Sequence, residues 1–516
     1  MYSKVKSCAV AGVDGRTIMV EADVHDGLPM FTMVGYLSSS VKEAAQRVQT
    51  ALKNSGYHLP AKRITVNLSP ADLKKDGSGF DLSIAVAVLL AMGIVSEYDM
   101  DHVMILGELS LDGSVRPIRG VLPMVNQAAI EGCKTCIVPK NNTKEAALVR
   151  QIEIIGVDSL LECVEYLQGI RELEPEKRTN LLCEEECELT SLDFSEVKGQ
   201  ESIKRGMEIA AAGFHNVLLC GPAGAGKSML VKRLPGILPK MTFEEQLEVT
   251  KIYSVGGKLN QEGSLIYHRP FRSPHHTITE QALVGGGRIP GPGEVSFAHM
   301  GVLFLDELPE FQKHVLEVLR EPLEERKICI SRLHASYEFP ADFMMVAAMN
   351  PCPCGNYPGR RCQCTPKQIQ NYQNKISGPL LDRIDIRMEV RAVGHNELFE
   401  ERKQETSKQI RKRVEKARRI QQQRFANDKI SFNSQLDGKQ IETYIRLDYE
   451  AQQLLEERFM TNHLSMRGLH RVLRLARTIA DLEDSEMVLL PHLQEAFFYR
   501  NEELFTGEVR ACEIRI

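Results

Sequence analysis

Lys227 and Ser228 close the run Gly221-Pro222-Ala223-Gly224-Ala225-Gly226-Lys227-Ser228, a GxxxxGKS spacing. The apolar run Val217 to Cys220 precedes it and helix-forming Met229-Leu230-Val231 follows. In a strand-loop-helix setting these residue types make a phosphate cradle. The glycines let backbone N–H groups turn inward, the lysine reaches the β- and γ-phosphates, the serine hydroxyl is placed to ligate Mg²⁺, and the helix start adds positive partial charge. A second element supplies acids. Val302-Leu303-Phe304-Leu305 is continuously apolar, as a parallel strand buried on both faces is, and it ends in Asp306-Glu307. Carboxylates at the carboxyl end of such a strand face a nucleotide crevice. Asp306 is expected to hold the Mg²⁺ shell and Glu307 to orient the attacking water, the two acidic tasks of phosphoryl transfer. The pair of motifs predicts ATP and Mg²⁺ as cofactors.

The elements that must position these groups follow from the rest of the chain. At 516 residues it divides into about three domains, and 43% hydrophobic residues suffice for several cores. The longest apolar stretch, Leu82 to Val95, is too short to span a bilayer and reads as a buried helix. With no charged n-region and h-region at the start, a cytoplasmic location without membrane attachment is expected. Thirteen cysteines without a secretory signal indicate reduced thiols or metal ligation. The net charge of −5 gives no global pull toward nucleic acid, so DNA contact requires local basic surface.

Residues 1 to 170 alternate strand-like runs (Ile64 to Leu68, Val103 to Leu106, Thr135 to Val138) with helix-like ones (Val41 to Asn54, Leu82 to Met92, Val121 to Glu131), which predicts one mixed α/β domain. Residues 171–190, with Glu184-Glu185-Glu186, read as a solvated acidic linker. The ATPase core is assigned to 191–395. Residues 396–430 read as a basic helical connector, because Glu401 to Arg424 carries ten Lys/Arg against three Glu. Residues 431–516 read as a helical lid, with Leu469, Val472, Leu473, Ala476, Ile479 and Ala480 on one apolar face and Ser465 as N-cap.

In order, these pieces resemble the AAA+ ATPases, specifically the magnesium-chelatase-like branch called the YifB or ComM family. Asp193-Phe194-Ser195-Glu196-Val197-Lys198-Gly199-Gln200 resembles the segment that packs near adenine, which assigns Val197 and Gln200 to nucleotide binding. Phe271-Arg272-Ser273-Pro274-His275-His276-Thr277 and Gly293-Glu294-Val295-Ser296-Phe297-Ala298-His299 match stretches typical of the branch. The resemblance implies an α/β AAA+ P-loop core with a helical lid. By motif position, Asn350 is sensor 1, Arg383 in Gly378-Pro379-Leu380-Leu381-Asp382-Arg383 is the arginine finger, and Arg467 is sensor 2. An arginine acting on a neighbour's ATP implies a ring, by analogy a homo-hexamer. The competing reading of Arg383 is a salt bridge to Asp382 or Asp385, and of Arg467 a helix-surface charge.

The first domain resembles the Lon-type proteolytic fold without its chemistry. In the matching run Lys75-Asp76-Gly77-Ser78-Gly79-Phe80-Asp81 the nucleophile position falls on Gly79, and no lysine occurs between Lys75 and Lys134. A serine without an adjacent base is a feeble nucleophile, so no peptidase activity is expected. Cys352, Cys354, Cys362 and Cys364 form two CxC pairs that together can complete a Zn²⁺ shell; free or redox-active thiols are the other reading. Cys133 and Cys136, beside an apolar run without a second pair, read as core. Ile328 to Ser331 and Tyr337 to Phe339 read as a hairpin, which related rings including the replicative MCM helicases project into the pore. Arg332 and His334 at its tip are candidate DNA contacts, against a plain surface hairpin. The resemblance implies branch migration or helicase action on single-stranded or branched DNA, as in natural transformation. The motor subunit of a metal chelatase and an ATP-gated protein-binding scaffold are the alternatives.

Overall fold

The computed structural model describes residues 1–96, 100–177, 192–259, 265–287, 290–332, 335–359, 361–391, 404–428, 430–461 and 465–500. Alternating apolar positions in the first domain build a seven-stranded mixed sheet. Its order across the sheet is Met30–Val34, Arg63–Ser69, Asp14–His25, Tyr2–Ala11, Val103–Ile105, Thr135–Pro139, Glu153–Val157. The last four strands are mutually parallel, as crossover through the helix Val121–Ile130 requires. The three expected helices are present at Ser39–Asn54, Asp81–Ala91 and Val121–Ile130. Asp81–Ala91 is buried on every side, which its unbroken apolar sequence allows. Cys133 and Cys136 are core, as expected.

Five parallel strands form the ATPase sheet, in the order Phe271–Arg272, Val302–Leu305, Met344–Met349, Val217–Cys220, Ile386–Glu389. The strand that carries the acids and the strand that enters the glycine loop are therefore separated by Met344–Met349, which is buried throughout. Parallel pairing puts every carboxyl end on one edge: Cys220 stands opposite Met349, and Leu305 opposite Ala347. The two domains meet where the helix Phe243–Val255 packs on Val121–Ile130. There Ser254 donates to the buried Glu145 carboxylate and the Arg150 guanidinium lies 5.2 Å from the Phe243 ring.

The basic segment differs from its expected role. Helix Ser407–Arg424, capped by Thr406, buries Ile410, Val414, Ala417 and Gln421, a 3.6-residue stripe hidden among the cations. It packs in the main ATPase core rather than standing in solvent. Arg413 pairs with Glu208 and Glu405, Lys416 with Asp484, Arg418 with Glu245, and Arg424 with Asp481. These cations are thus engaged by carboxylates of the same chain. Burial pulls the Arg418 pKa down to about 10, and its guanidinium sits 3.9 Å from the Phe432 ring.

The helix Met466–Leu482 starts at Ser465, whose Oγ accepts from Gly468 N at 3.1 Å, and it buries Val472, Leu473, Ala476, Ile479 and Ala480 as expected. Leu469 is half-buried beside them. Most of the linker (178–191), residues 396–403 of the connector and residues 501–516 of the lid lie outside the described residues. Among the described residues no helix is long and apolar enough to cross a membrane.

Candidate functional site

Gly221 to Gly226 bridge the strand Val217–Cys220 to the helix Lys227–Arg233. Gly226 has φ +89°, a backbone state that favours glycine, and it delivers Lys227 to the first helical turn. Lys227 is almost buried. Its Nζ donates to Gly221 O at 2.6 Å, Pro222 O at 2.9 Å and Asn350 Oδ1 at 3.0 Å. Burial lowers its pKa, a cost that the charge of a bound phosphate would offset. Ser228 Oγ donates to Asp306 Oδ2 at 2.7 Å, so the hydroxyl and the acid assigned to Mg²⁺ stand together. Both are hard oxygen donors, the set that Mg²⁺ takes alongside phosphate oxygens, and the site fits that ion.

Glu307 occupies the left-handed region at φ +53°, which turns its carboxylate out of the strand line. His276 Nδ1 lies 3.4 Å from Glu307 Oε2. No role was assigned to His276 from sequence; the His275-His276 pair was the available signal, but only folding links it to Glu307. Gln200 Nε2 donates to Ala225 O at 2.9 Å and Arg391 O at 3.2 Å, and Val197 is buried in the adjoining core. Val197, Gln200, the loop residues Gly221, Pro222, Ala223, Gly224, Ala225 and Gly226, and Lys227, Ser228, Asp306, Glu307 and Asn350 thus gather at one edge of the sheet.

Arg383 and Arg467 gather elsewhere. Together with Arg326, Arg471 and Arg474 they line a cavity of about 260 Å³ bordered by Asn216, Phe343 and Asp385. Those three residues immediately precede strands of the ATPase sheet, so the arginines stand at its amino ends, opposite the glycine loop. Arg383 pairs with Glu324, and donates to Arg320 O at 3.1 Å and Pro379 O at 2.8 Å. The expected alternative partners Asp382 and Asp385 are not the ones it takes; Asp385 instead accepts from Asn216 N at 3.0 Å and lies 3.5 Å from His215 Nδ1. Arg467 is exposed, 4.0 Å from Glu324. Arg471 and Arg474 were missed, although positions 467, 471 and 474 fall on one helix face.

The hairpin is longer than expected, Lys327–Arg332 and Ala335–Pro340, because the cross-strand pairing continues to Arg332 and Ala335. Arg332 Nη2 donates to Gly287 O at 3.0 Å; His334 lies outside the described residues. A cavity of about 1200 Å³ between the domains is lined by Ser78, Glu108, Arg119, Gly285, Arg332 and Tyr337 among others. Ser78 Oγ donates to Glu108, while buried Lys75 donates to Pro70 O. In the cysteine loop, the sulfurs of Cys352, Cys354, Cys362 and Cys364 all lie within 4.8 Å of one another.

Three regions match the magnesium chelatase subunit ChlI families: residues 193–398 "Magnesium chelatase, subunit ChlI", 20–142 "Subunit ChlI of Mg-chelatase", and 404–500 "Magnesium chelatase, subunit ChlI C-terminal". Competence protein ComM of Haemophilus influenzae is 42% identical over 504 residues, covering 96% of this chain and 97% of that protein. The chain belongs to the ComM and YifB family of magnesium-chelatase-like AAA+ proteins. YifB of Escherichia coli, itself described as uncharacterized, is 43% identical over 501 residues, 96% of this chain and 97% of its own. A magnesium-chelatase 38 kDa subunit of Cereibacter sphaeroides is 24% identical over 39% of this chain and 58% of its own. A Lon protease of Desulforamulus reducens is 24% identical over 39% of this chain and 26% of its own. As in the expectation drawn from the motifs, the ComM and YifB family core is an α/β AAA+ ATPase that uses ATP and Mg²⁺.

Lys227→Ala is expected to weaken ATP binding about 10- to 100-fold, the loss of one charge-assisted phosphate contact. Titration with a fluorescent ATP analogue checks this, and unchanged affinity with unchanged turnover contradicts the assignment.

Proposed function

We propose that the chain is the subunit of a homo-hexameric, ATP-driven ring motor that works on single-stranded or branched DNA in the cytoplasm, with branch migration or helicase action as its output. The observation that carries the ring is the separation of the arginines from the glycine loop. Arg383 and Arg467 stand at the amino ends of the strands, and Lys227 and Asp306 at the carboxyl ends. A strand rises about 3.3 Å per residue, so the sheet itself keeps the two groups apart within one subunit. A neighbour presenting its arginine cavity to this subunit's loop completes the site: Asn350 and Glu307 from one chain position water and γ-phosphate, while Arg383 and Arg467 of the next neutralise developing charge.

Work on DNA is supported by the hairpin and by the family. Arg332 sits at the end of a paired hairpin on the same domain as the ATP site, and phosphate contacts of this kind carry no sequence information. His334 is assigned the same task. A relative named for competence agrees with a role in natural transformation. The cofactor set of this reading is ATP, Mg²⁺ and, in the cysteine loop, Zn²⁺. The first domain binds or assembles and does not cleave peptides on this reading, which the bond of Ser78 Oγ to a carboxylate supports.

ATP turnover measured without DNA and with single strands, duplex and a four-way junction tests the proposal. Stimulation of several-fold or more by single-stranded or branched DNA is expected; equal turnover on every substrate overturns the DNA motor. The ChlI matches favour a second reading, the motor subunit of a chelatase, which ATP-dependent porphyrin metallation with partner subunits would reveal. The inter-domain cavity favours a third, an ATP-gated scaffold, which DNA-independent capture of a protein partner would reveal.

A further inference from the structure

The loop after Asn350 has almost no core of its own. Between Pro353 and Thr365, Gly355 is the buried residue among those described, yet the four cysteine sulfurs converge. Cys352 and Cys354 sulfurs are 3.4 Å apart, Cys352 and Cys362 3.8 Å, Cys354 and Cys362 3.7 Å. A tetrahedral Zn²⁺ with Zn–S bonds of about 2.3 Å sets its sulfurs about 3.8 Å apart. The thiols are thus spaced for one ion. They are also free of disulfides.

The cluster touches the ATP site on two sides. Cys352 is buried two residues beyond Asn350, whose side chain accepts from Lys227. Gly355, at φ +77°, adjoins the glycine loop: a Cβ there would make ordinary contact with Ala223 Cβ at 3.5 Å and Asn350 Cγ at 3.9 Å. The second cysteine pair leads directly into the helix Pro366–Gln373, capped by Thr365, and Gln373 Nε2 returns to Pro351 O at 3.2 Å. One pair is therefore fixed to the sensor strand and the other to a helix. An ion holding all four sulfurs would close that ring of contacts around Asn350.

We infer that Cys352, Cys354, Cys362 and Cys364 bind one Zn²⁺ per chain and that the bound ion braces Asn350 and Ala223, so that metal loss impairs ATP hydrolysis more than ATP binding. The second half rests on the ATPase reading above; the first does not. Cys362 and Cys364 serve as the test positions because they are farthest along the chain from Asn350.

Metal analysis of full-length protein purified without chelator should give about one zinc per chain, and Cys362→Ser/Cys364→Ser should lose it. Co²⁺ substitution should give thiolate charge-transfer and tetrahedral d–d bands in the wild type and none in the double variant. Basal turnover without DNA should fall at least 10-fold in the variant while affinity for a fluorescent ATP analogue changes less than 3-fold. Stripping the wild type with chelator and restoring Zn²⁺ should reproduce the loss and its recovery, which covers a variant that fails to fold. Absence of zinc and of Co²⁺ bands overturns the metal site; full turnover without metal overturns the brace. Hydrogen exchange gives a readout that needs no hydrolysis. Faster exchange in apo protein should reach both 351–364 and 221–226, and a change confined to 351–364 overturns the brace even if the motor proves inactive.

Discussion

Glu307→Gln is expected to lower ATP turnover about 10³-fold, within the 10²- to 10⁴-fold range of a lost general base, while ATP affinity stays within a few-fold. The glutamine keeps the shape of the side chain and removes the charge that polarises water. The conformation at position 307 is set by the backbone at φ +53°, so the amide occupies the carboxylate's place. Ser228 and Asp306, which hold Mg²⁺ on this reading, are untouched, and binding persists for that reason. Steady-state turnover and nucleotide titration on the same preparation separate the two effects. Persistent wild-type turnover would displace Glu307 from its task. His276→Ala should lower turnover less, because its Nδ1 lies 3.4 Å from the Glu307 carboxylate and would act on the reaction only through it.

Arg383→Ala should lower turnover by about 10³-fold or more, the range measured for transition-state arginines. The informative experiment mixes it with Lys227→Ala. Neither variant is active alone on this reading, one lacking the arginine and the other the phosphate lysine. In a mixed ring, an Arg383→Ala subunit offers an intact loop and a Lys227→Ala subunit an intact arginine, so their shared interface is complete. Partial recovery of turnover is expected on mixing. Failure to recover, in mixed assemblies verified by size, would place both residues in one subunit's site and remove the ground for the ring. Arg383 pairs with Glu324 and, on this reading, must leave or share that carboxylate to reach a neighbour's phosphate, so Glu324→Gln should alter turnover more than affinity.

How much was legible before folding differs by the distance over which each signal acts. The glycine loop and the acids after Leu305 each follow an apolar strand, so local pattern suggested both, while the asparagine after Met349 was assigned through the family resemblance. The same locality misled at Ser407–Arg424. There, ten-to-three charge in the wider segment suggested solvent, whereas the stripe Ile410, Val414, Ala417 and Gln421 decides burial and carboxylates elsewhere in the chain neutralise the cations. Ser78 shows the limit again: it lies in a loop, its neighbour Glu108 stands 30 residues on in the short strand Glu108–Leu109, and no spacing announces the pair.

By itself the sequence marked the residues expected to bind phosphate and metal, since glycines, a lysine, a hydroxyl and acids at fixed local offsets have few other uses. It determined the family as well, through motifs spread along nearly the whole chain. Only the tertiary structure decided which edge of the sheet each group occupies. The parallel pairing of Met344–Met349 with both motif strands is a long-range outcome of packing, and that shared direction sends Lys227 and Asn350 to one end and Arg383 and Arg467 to the other.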